Sequence, residues 1–355
     1  MARRGDEGVL QLLSAGLPPR VRQLCLPDQA ITSVGAAAIS EALAAPNCAL
    51  TKVDLAANTI GDAGALALAK ALGTASGVLS LALGDNAIGA AGLDAVLQAL
   101  RDGDDGGLLA LDLGNSLLDG RRHNRFRGGS SAALAALLPS DRLTELCLRG
   151  CGLDHRCEAT LVPALAAAGG SSRLSLLDLS SNQLGAAAGP VLAAAALTSA
   201  DAASVKMNLI CADVGLDDRG VSQLAQALRS STGGSLALLD LFSNPFGDEG
   251  AAALLSAIDE SAMNVDRLDI GCTNITDACV PGLLRLLAGA PVLLAFGLAL
   301  TALSAKALAE LAGSMTETDV TTWLDTRGTV LRMSYYLAVL CHISTQNRCI
   351  LKDYG

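Results

Sequence analysis

Large apolar residues recur along this chain in one pattern, LxxLxLxxNxL, separated by stretches rich in alanine. Three copies fit the pattern closely, beginning at Leu50, Leu174 and Leu236. Alternation with a period of two in the LxL core predicts a short strand with one buried face. After the Asn, apolar residues such as Leu66 and Leu72 recur at helical spacing, which predicts a helix. Each copy therefore predicts a unit of strand, turn and helix.

Ten such units follow one another, with 28 to 35 residues between successive Asn positions. The residues at that position are Gln29, Asn58, Asn86, Ser116, Cys151, Asn182, Val214, Asn244, Thr273 and Thr301. One unit cannot bury both its strand and its helix, so neighbouring units must stack. The sequence thus predicts an α/β solenoid of about ten repeats, a curved horseshoe with parallel strands on its concave face and helices on its convex face.

Two polar positions of the unit fit this architecture. The side-chain amide of the Asn can bridge backbone groups of successive turns, where no regular ladder exists. Four residues later, several units carry an Asp whose carboxylate can cap the next helix. These aspartates are Asp62, Asp218, Asp248 and Asp277.

The units resemble ribonuclease-inhibitor-type leucine-rich repeats, most clearly over LTKVDLAANTIGDAGALALAKAL, from Leu50 to Leu72. The resemblance covers about residues 21–315. It implies a helical convex face and a concave face that binds another protein. Ribonuclease inhibitors bind basic enzymes on such a face, and Ran GTPase-activating proteins have similar repeats.

The segments outside the pattern suggest further parts of the chain. Residues 1–20 predict an N-terminal cap, and the repeat array covers 21–315 with an Arg-rich insert at 119–129. Residues 316–355 hold the only Trp and all three Tyr. Three interpretations of that segment stay open: a C-terminal cap, an interaction tail, or an error in the gene model. In the seventh unit, Lys206 stands where the first Leu belongs, which predicts a turn that is either loose or shifted by one residue.

The charge balance narrows the range of partners. The chain has 35 acidic and 25 basic side chains, a net charge of −10 and a pI of about 4.8. Such a field repels nucleic acid and anionic membrane surfaces, so neither is an expected partner. Aromatic residues make up only 2% of the chain, so large aromatic stacking surfaces are excluded. We expect a monomer that binds a protein.

The cysteines and the N-terminus predict a cytoplasmic protein. Acidic Asp6 and Glu7 stand where a signal peptide would have its apolar run, so the ten cysteines are expected to be reduced thiols. The uncharged stretch 286–305 is long enough to span a membrane. It contains Pro291 and Gly297, however, and it fits the repeat pattern, which favours a repeat unit.

No catalytic motif is present in the sequence. Neither GxxxxGK[ST] nor GxSxG occurs, and the three histidines, His123, His155 and His342, have no nucleophile or carboxylate at a motif spacing. Cys147, Cys151 and Cys157 come nearest to a metal-ligand set, but no second pair has matching spacing. We therefore expect a non-enzymatic protein without metal or cofactor.

The candidate binding residues face the concave side, at positions three, five and seven of the pattern, with position eight at the rim. The acidic candidates are Asp54, Asp85, Asp112, Glu145, Asp178, Asp213, Asp240 and Asp269, joined by one aromatic residue, Phe242. Stacked parallel strands would line the carboxylates into a stripe that attracts a basic partner. The alternative is that LDL is simply part of the repeat consensus and serves the fold.

The insert supplies the remaining candidates, Arg121, Arg122, Arg125 and Arg127. This loop is either a docking site for an acidic or phosphorylated partner or an ordinary solvated loop. The favoured function is an interaction scaffold that binds a basic partner through its acidic concave face. The alternative is a GTPase activator resembling Ran GTPase-activating proteins, although that family commonly has an acidic tail and residues 316–355 are neutral.

Overall fold

The structure is a computed structural model. It describes residues 5–14, 16–18, 20–75, 77–102, 107–116, 122–126, 132–139, 142–168, 172–198, 206–289, 293, 295–316 and 323–325. Arg121, Arg127 and most of 316–355 lie outside the described residues.

Twelve short strands form one sheet in the described residues. They are β1 Gln23–Cys25, β2 Lys52–Asp54, β3 Ser80–Ala82, β4 Ala110–Asp112, β5 Glu145–Cys147, β6 Leu176–Asp178, β7 Met207–Ile210, β8 Ser235–Asp240, β9 Asn264–Val265, β10 Arg267–Asp269, β11 Ala295–Gly297 and β12 Trp323–Asp325. Each strand pairs in parallel with the next one along the chain, with one exception. The two-residue strand β9 pairs with β8, and β10 pairs with β8 as well. Sequential parallel pairing of this kind is the order expected when identical units stack.

Eleven α-helices alternate with these strands in the described part of the chain. They are α1 Gly5–Leu13, α2 Ser33–Leu43, α3 Gly61–Ala75, α4 Ala90–Asp102, α5 Ala132–Leu137, α6 Glu158–Ala168, α7 Ala188–Thr198, α8 Asp218–Ser230, α9 Asp248–Glu260, α10 Val280–Gly289 and α11 Ala305–Thr316. Each packs against its neighbour in chain order. Parallel strands stack ~4.8 Å apart, whereas packed helices lie 8–10 Å apart. Because the strand side of each unit is thinner than the helix side, the array curves with the sheet on its concave side. The predicted strand, turn and helix unit and the solenoid are confirmed.

The buried residues of each unit are those of the LxxLxL pattern. In the second unit, Leu50, Val53 and Leu55 are at most 1% exposed. Small residues let the helices pack closely: a Cβ added to Gly64 would lie 3.0 Å from the Cβ of Ala36 on the preceding helix. The core is therefore one continuous layer of aliphatic side chains between the strands and the helices.

The Asn positions form a ladder along the core. Asn58 is fully buried; its amide nitrogen donates to the carbonyls of Leu26 and Leu55, and its Oδ1 accepts from the backbone nitrogens of Gln29 and Ile31. At Asn86, Asn182 and Asn244 the amide nitrogen likewise donates to two backbone carbonyls, one in the preceding unit and one in its own unit. The predicted bridging of successive turns is thus confirmed.

In the fourth unit the ladder residue is Asn124, which corrects the assignment of Ser116. Asn124 donates to the carbonyls of Leu83 and Leu113 and accepts from the backbone nitrogens of Asn86 and Ile88. Ser116 is exposed. The additional residues of this unit therefore begin before the ladder position, whereas the sequence pattern placed them after it.

The seventh unit is shifted by one residue, as one of the two interpretations predicted. Met207, rather than Lys206, pairs with Leu236, and the pairing of β7 with β8 shifts immediately after Met207. Met207 is fully buried, while Lys206 forms an ion pair with Asp266 at 2.6 Å. The shift places an apolar residue in the core and lets the lysine reach the buried carboxylate of Asp266, just before β10.

The predicted aspartates do cap helices, but each lies within the helix of its own unit and caps the helix of the next unit. The Oδ1 of Asp62 accepts from the backbone nitrogens of Gly89 and Gly92, and the Oδ1 of Asp218 accepts from those of Gly247 and Gly250. Asp6 in α1 makes equivalent contacts with the backbone nitrogens of Thr32 and Gly35 at the start of α2. The helix α1 thus meets α2 as one repeat helix meets the next.

Replacing Asp6 by Ala is expected to lower the free energy of unfolding by about 1–2 kcal/mol, the usual cost of losing a helix cap. Glu7→Ala is the matched control, because Glu7 is exposed in the same first turn of α1. Urea unfolding of both variants measures the difference. Equal stability of the two variants would show that the Asp6 contacts contribute nothing.

Two observations concern the C-terminal part of the array. Strand β12 pairs in register with β11, so the strand ladder extends into the segment that the sequence assigns to a cap or tail. The uncharged stretch 286–305 is divided between α10, β11 and the start of α11. Within the described residues, no helix has the length and apolar character needed to cross a membrane.

Candidate protein-binding face

Six aspartates share one row of the concave face, which is the side of the sheet opposite the helices, and five of them lie on strands β2 to β10. The row runs in register through Cys25, Asp54, Ala82, Asp112, Cys147, Asp178, Ile210, Asp240, Asp269, Gly297 and Asp325. In each of the five, Oδ1 accepts a hydrogen bond from the backbone nitrogen two residues later, at 2.9 to 3.1 Å. One oxygen therefore closes the turn after the strand, which is a role in the fold.

The five aspartates differ in burial. Asp54, Asp178 and Asp269 are partly exposed, whereas Asp240 is 1% exposed. Burial raises the pKa of Asp240 well above its ordinary value, and the neighbouring Asp269 carboxylate adds to the rise. In contrast to the expectation from the sequence, Asp240 therefore presents no carboxylate to a partner.

Asp112 is partly exposed, like Asp54, Asp178 and Asp269. Burial raises its pKa to about 6; the hydrogen bond from Gly114 opposes the rise, and the Asp178 and Asp54 carboxylates add to it. An ionised Asp112 is thus unfavourable in the folded protein, chiefly because burial removes water from the carboxylate and secondarily because the carboxylates two strands away on either side repel it.

Asp112→Asn is expected to be more stable than the wild type at pH 8, by about 2 kcal/mol. The folded pKa lies above the unfolded value, so the native state binds the additional proton and wild-type stability falls as pH rises from about 4 to 6. Asn keeps the Oδ1 acceptor for Gly114. Urea unfolding at pH 4, 6 and 8 should show the advantage of the variant shrinking toward pH 4. A difference independent of pH would contradict this account.

The rim aspartates occupy a special backbone position. Asp28, Asp85 and Asp213 have φ angles of 51°, 53° and 55°, a left-handed conformation that Asp tolerates better than most residues. Asp85 is 8% exposed, and its Oδ2 accepts from the Ser116 backbone nitrogen. Asp213 is exposed. Of the two rim candidates, only Asp213 is therefore accessible.

Basic side chains interrupt the acidic stripe at two places. Burial raises the pKa of Glu145, and the Lys52 ammonium partly offsets the rise. Burial likewise raises the pKa of Asp213, with Arg149 acting against it. The face is thus acidic with these two bases and a third, the exposed Arg267 on β10, so a simple count of carboxylates overstates its negative charge.

The described part of the insert lies against the first three units. Arg122 donates to the carbonyl of Ala57 and pairs with Asp28 at 3.4 Å, a residue 94 positions earlier in the chain. The backbone carbonyl of Arg122 accepts from Ala87, and Arg125 is exposed. Arg122 is therefore engaged within the protein, and only Arg125 among the described arginines of the insert presents an exposed side chain.

The cysteines near the row are thiols. Cys147 lies between Asp112 and Asp178, and burial raises its pKa well above its ordinary value, with both carboxylates adding to the rise. Cys151 is buried at the ladder position and its Sγ donates to the Leu113 carbonyl at 3.2 Å. All eight described cysteines are free. Among the described residues, no group of His, Cys, Asp and Glu side chains is arranged to hold a metal ion.

Apolar side chains on the concave face were missed by the sequence reasoning, which singled out only Phe242. Leu176 on β6 and Leu238 on β8 are partly exposed at position three of their units. Phe242 lies over Gly271, where an added Cβ would be 3.0 Å from the ring atom Cδ2. The signal in the sequence was a Leu at a position that is polar or small in most earlier units.

Two segments of the chain, 47–69 and 235–255, match the family model Leucine Rich repeat. They contain β2 with the start of α3 and β8 with the start of α9. The chain folds as a leucine-rich repeat solenoid. None of the curated proteins matches it. Among solved structures, it is similar to an internalin (inlF) from Listeria monocytogenes str. 4b F2365, with 14% identity, a TM-score of 0.47, and coverage of 94% of this chain and 92% of that chain.

Proposed function

We propose that this leucine-rich repeat protein is a non-enzymatic scaffold that binds a protein with a basic surface on its concave face. The observation that carries the proposal is the in-register row of aspartates, of which Asp54, Asp178 and Asp269 are partly exposed. Solenoids of this kind use their concave surfaces for binding, and a row of carboxylates favours a cationic partner through attraction that salt weakens.

Two finer features belong to the same proposal. We assign the repeats to the ribonuclease-inhibitor type, since most units are 28 to 32 residues long and each described unit has an α-helix on its outer side. We also assign the protein to a reducing compartment, the cytoplasm, which the free state of the described thiols supports.

The test measures binding of a basic probe, a twelve-residue peptide of alternating lysine and glycine. The variant combines Asp54→Asn, Asp178→Asn and Asp269→Asn, because Asn keeps the Oδ1 acceptor that closes each turn. We expect the triple variant to bind more than tenfold more weakly at low salt, since each lost pair is worth on the order of 0.5–1 kcal/mol.

The matched control removes three charges from the helical side. Glu41→Gln, Glu158→Gln and Glu249→Gln change the net charge by the same amount, and all three residues are exposed. This control should bind within twofold of the wild type. Equal losses in the two triple variants would show that net charge, and not the concave face, attracts the probe.

A further inference from the structure

The concave face has a different character in its two halves. From β2 to β5, position three is occupied by polar or small residues, namely Lys52, Ser80, Ala110 and Glu145. From β6 to β8, Leu176 and Leu238 occupy the same position on either side of Asn208. Position seven is small or polar in most units of both halves, as at Ala56, Gly84, Ser180 and Ala212, and Phe242 is the large apolar exception. At positions three and seven of the described units, the partly exposed large apolar side chains therefore lie in the second half.

These apolar side chains lie close together. Leu176, Asn208 and Leu238 are in register on adjacent strands, so the two leucines are separated by two strand spacings, about 10 Å. Each is flanked by a fully or nearly fully buried residue, Leu177 or Leu239, whose side chain points to the opposite face of the sheet. The two leucines therefore face the concave side, where Phe242 leans over Gly271.

Carboxylates surround this apolar group. Asp178 is two residues from Leu176 on the same strand face, Asp213 is exposed at the rim, and Asp269 is partly exposed beyond Asp240. Asp269 leans over Gly297, where an added Cβ would lie 2.5 Å from its Oδ1. Arg149 lies near enough to Asp213 and Asp240 to lower the pKa of both against the effect of burial. Arg267 is exposed on β10 beside Leu238, so three carboxylates and two bases surround the apolar group.

We propose that Leu176, Leu238, Phe242, Asp178, Asp213 and Asp269 form the main contact patch of the concave face, here termed the apolar–acidic patch. Its occupant is a protein segment with a large apolar side chain flanked by lysine or arginine. The inference rests on the proposed function and specifies where on the concave face the partner is held.

The physical argument for this occupant has two parts. An apolar anchor gains from removing the leucines and the phenylalanine from water, and binding energy concentrates at such anchors. The flanking bases are needed because a neutral or acidic segment would bury the carboxylates without a partner. In the first half, positions three and seven hold no large apolar side chain among the described units, and the exposed Leu79 and Leu109 stand before β3 and β4 rather than on them.

The test compares two twelve-residue peptides of equal charge, one alternating lysine with leucine and the other lysine with glycine. Fluorescence anisotropy gives the affinity of each for the full chain, and circular dichroism confirms that each variant is folded. We expect the lysine–leucine peptide to bind at least tenfold more tightly. Phe242→Ala and Leu238→Ala should each reduce that advantage at least threefold. Leu109→Ala is the matched control, since Leu109 is 38% exposed at the start of a strand and outside the patch.

The outcomes separate this inference from the proposed function. Equal affinity for the two peptides, or an equal loss in Leu109→Ala, would overturn the patch. The proposed function would then still stand if the lysine–glycine peptide binds in a salt-dependent way that needs the concave aspartates. Failure of both peptides to bind at low salt would reject the proposed function and the patch together.

Discussion

Replacing Asn124 by Ala is expected to lower the free energy of unfolding by about 3–5 kcal/mol. The side chain is fully buried and bonds four backbone groups, the carbonyls of Leu83 and Leu113 and the nitrogens of Asn86 and Ile88. Alanine would leave the backbone nitrogens of Asn86 and Ile88 without this acceptor. The carbonyls of Leu83 and Leu113 would keep only the Asn86 amide and the Cys151 thiol as donors. Denaturant unfolding followed by circular dichroism measures the loss.

Ser116→Ala is the control for that measurement. Ser116 is the residue that the repeat spacing alone assigns to the ladder, and the substitution keeps its backbone contacts with Asp85 and His123. We expect a change within about 0.5 kcal/mol, as for most exposed positions. A large loss in Ser116→Ala and a small one in Asn124→Ala would reverse the assignment.

A chain that ends at Thr316 is expected to be less stable and less soluble than the full chain. Strand β11 pairs with β10 on one side and with β12 on the other, so the truncation leaves an unpaired edge. Phe296 and Leu298 at that end of the core are 2% and 1% exposed in the full chain. At about 25 cal/mol per Å² of apolar surface, uncovering such side chains costs about 3 kcal/mol or more.

Size-exclusion chromatography and thermal unfolding test the truncation. A second chain that ends at Asp325 keeps β12 and serves as the control, and it should retain more of the stability. If the chain ending at Thr316 stays monomeric with an unchanged unfolding midpoint, the segment after the array covers nothing and the interpretation as a C-terminal cap fails.

The repeat pattern predicted what depends on local periodicity. The alternation in Val53 and Leu55 located the second strand, and Asp62 was identified as a helix cap from its distance to Asn58. Such features follow from one unit and its neighbour, because each contact spans about one repeat. The same locality explains why the sequence could assign positions three, five and seven to one face.

Features that depend on distant or displaced residues were not predictable in this way. A period count cannot tell on which side of the ladder residue an insertion begins, so Ser116 was chosen over Asn124. The partner of Arg122 is Asp28, three units away, and no spacing rule connects them. The burial of Asp240 depends on its neighbours on adjacent strands, whereas the pattern describes a single strand.

Capture of partners from the source cells tests the central claim most directly, that the concave face binds a basic protein. Three baits would be compared by mass spectrometry: the wild type, the concave triple variant at Asp54, Asp178 and Asp269, and the helical-side control at Glu41, Glu158 and Glu249. We predict that the wild type and the control retain the same proteins with basic surfaces, and that the concave variant loses them. Retention of the same proteins by all three baits, or their loss from the helical-side control alone, would contradict the claim.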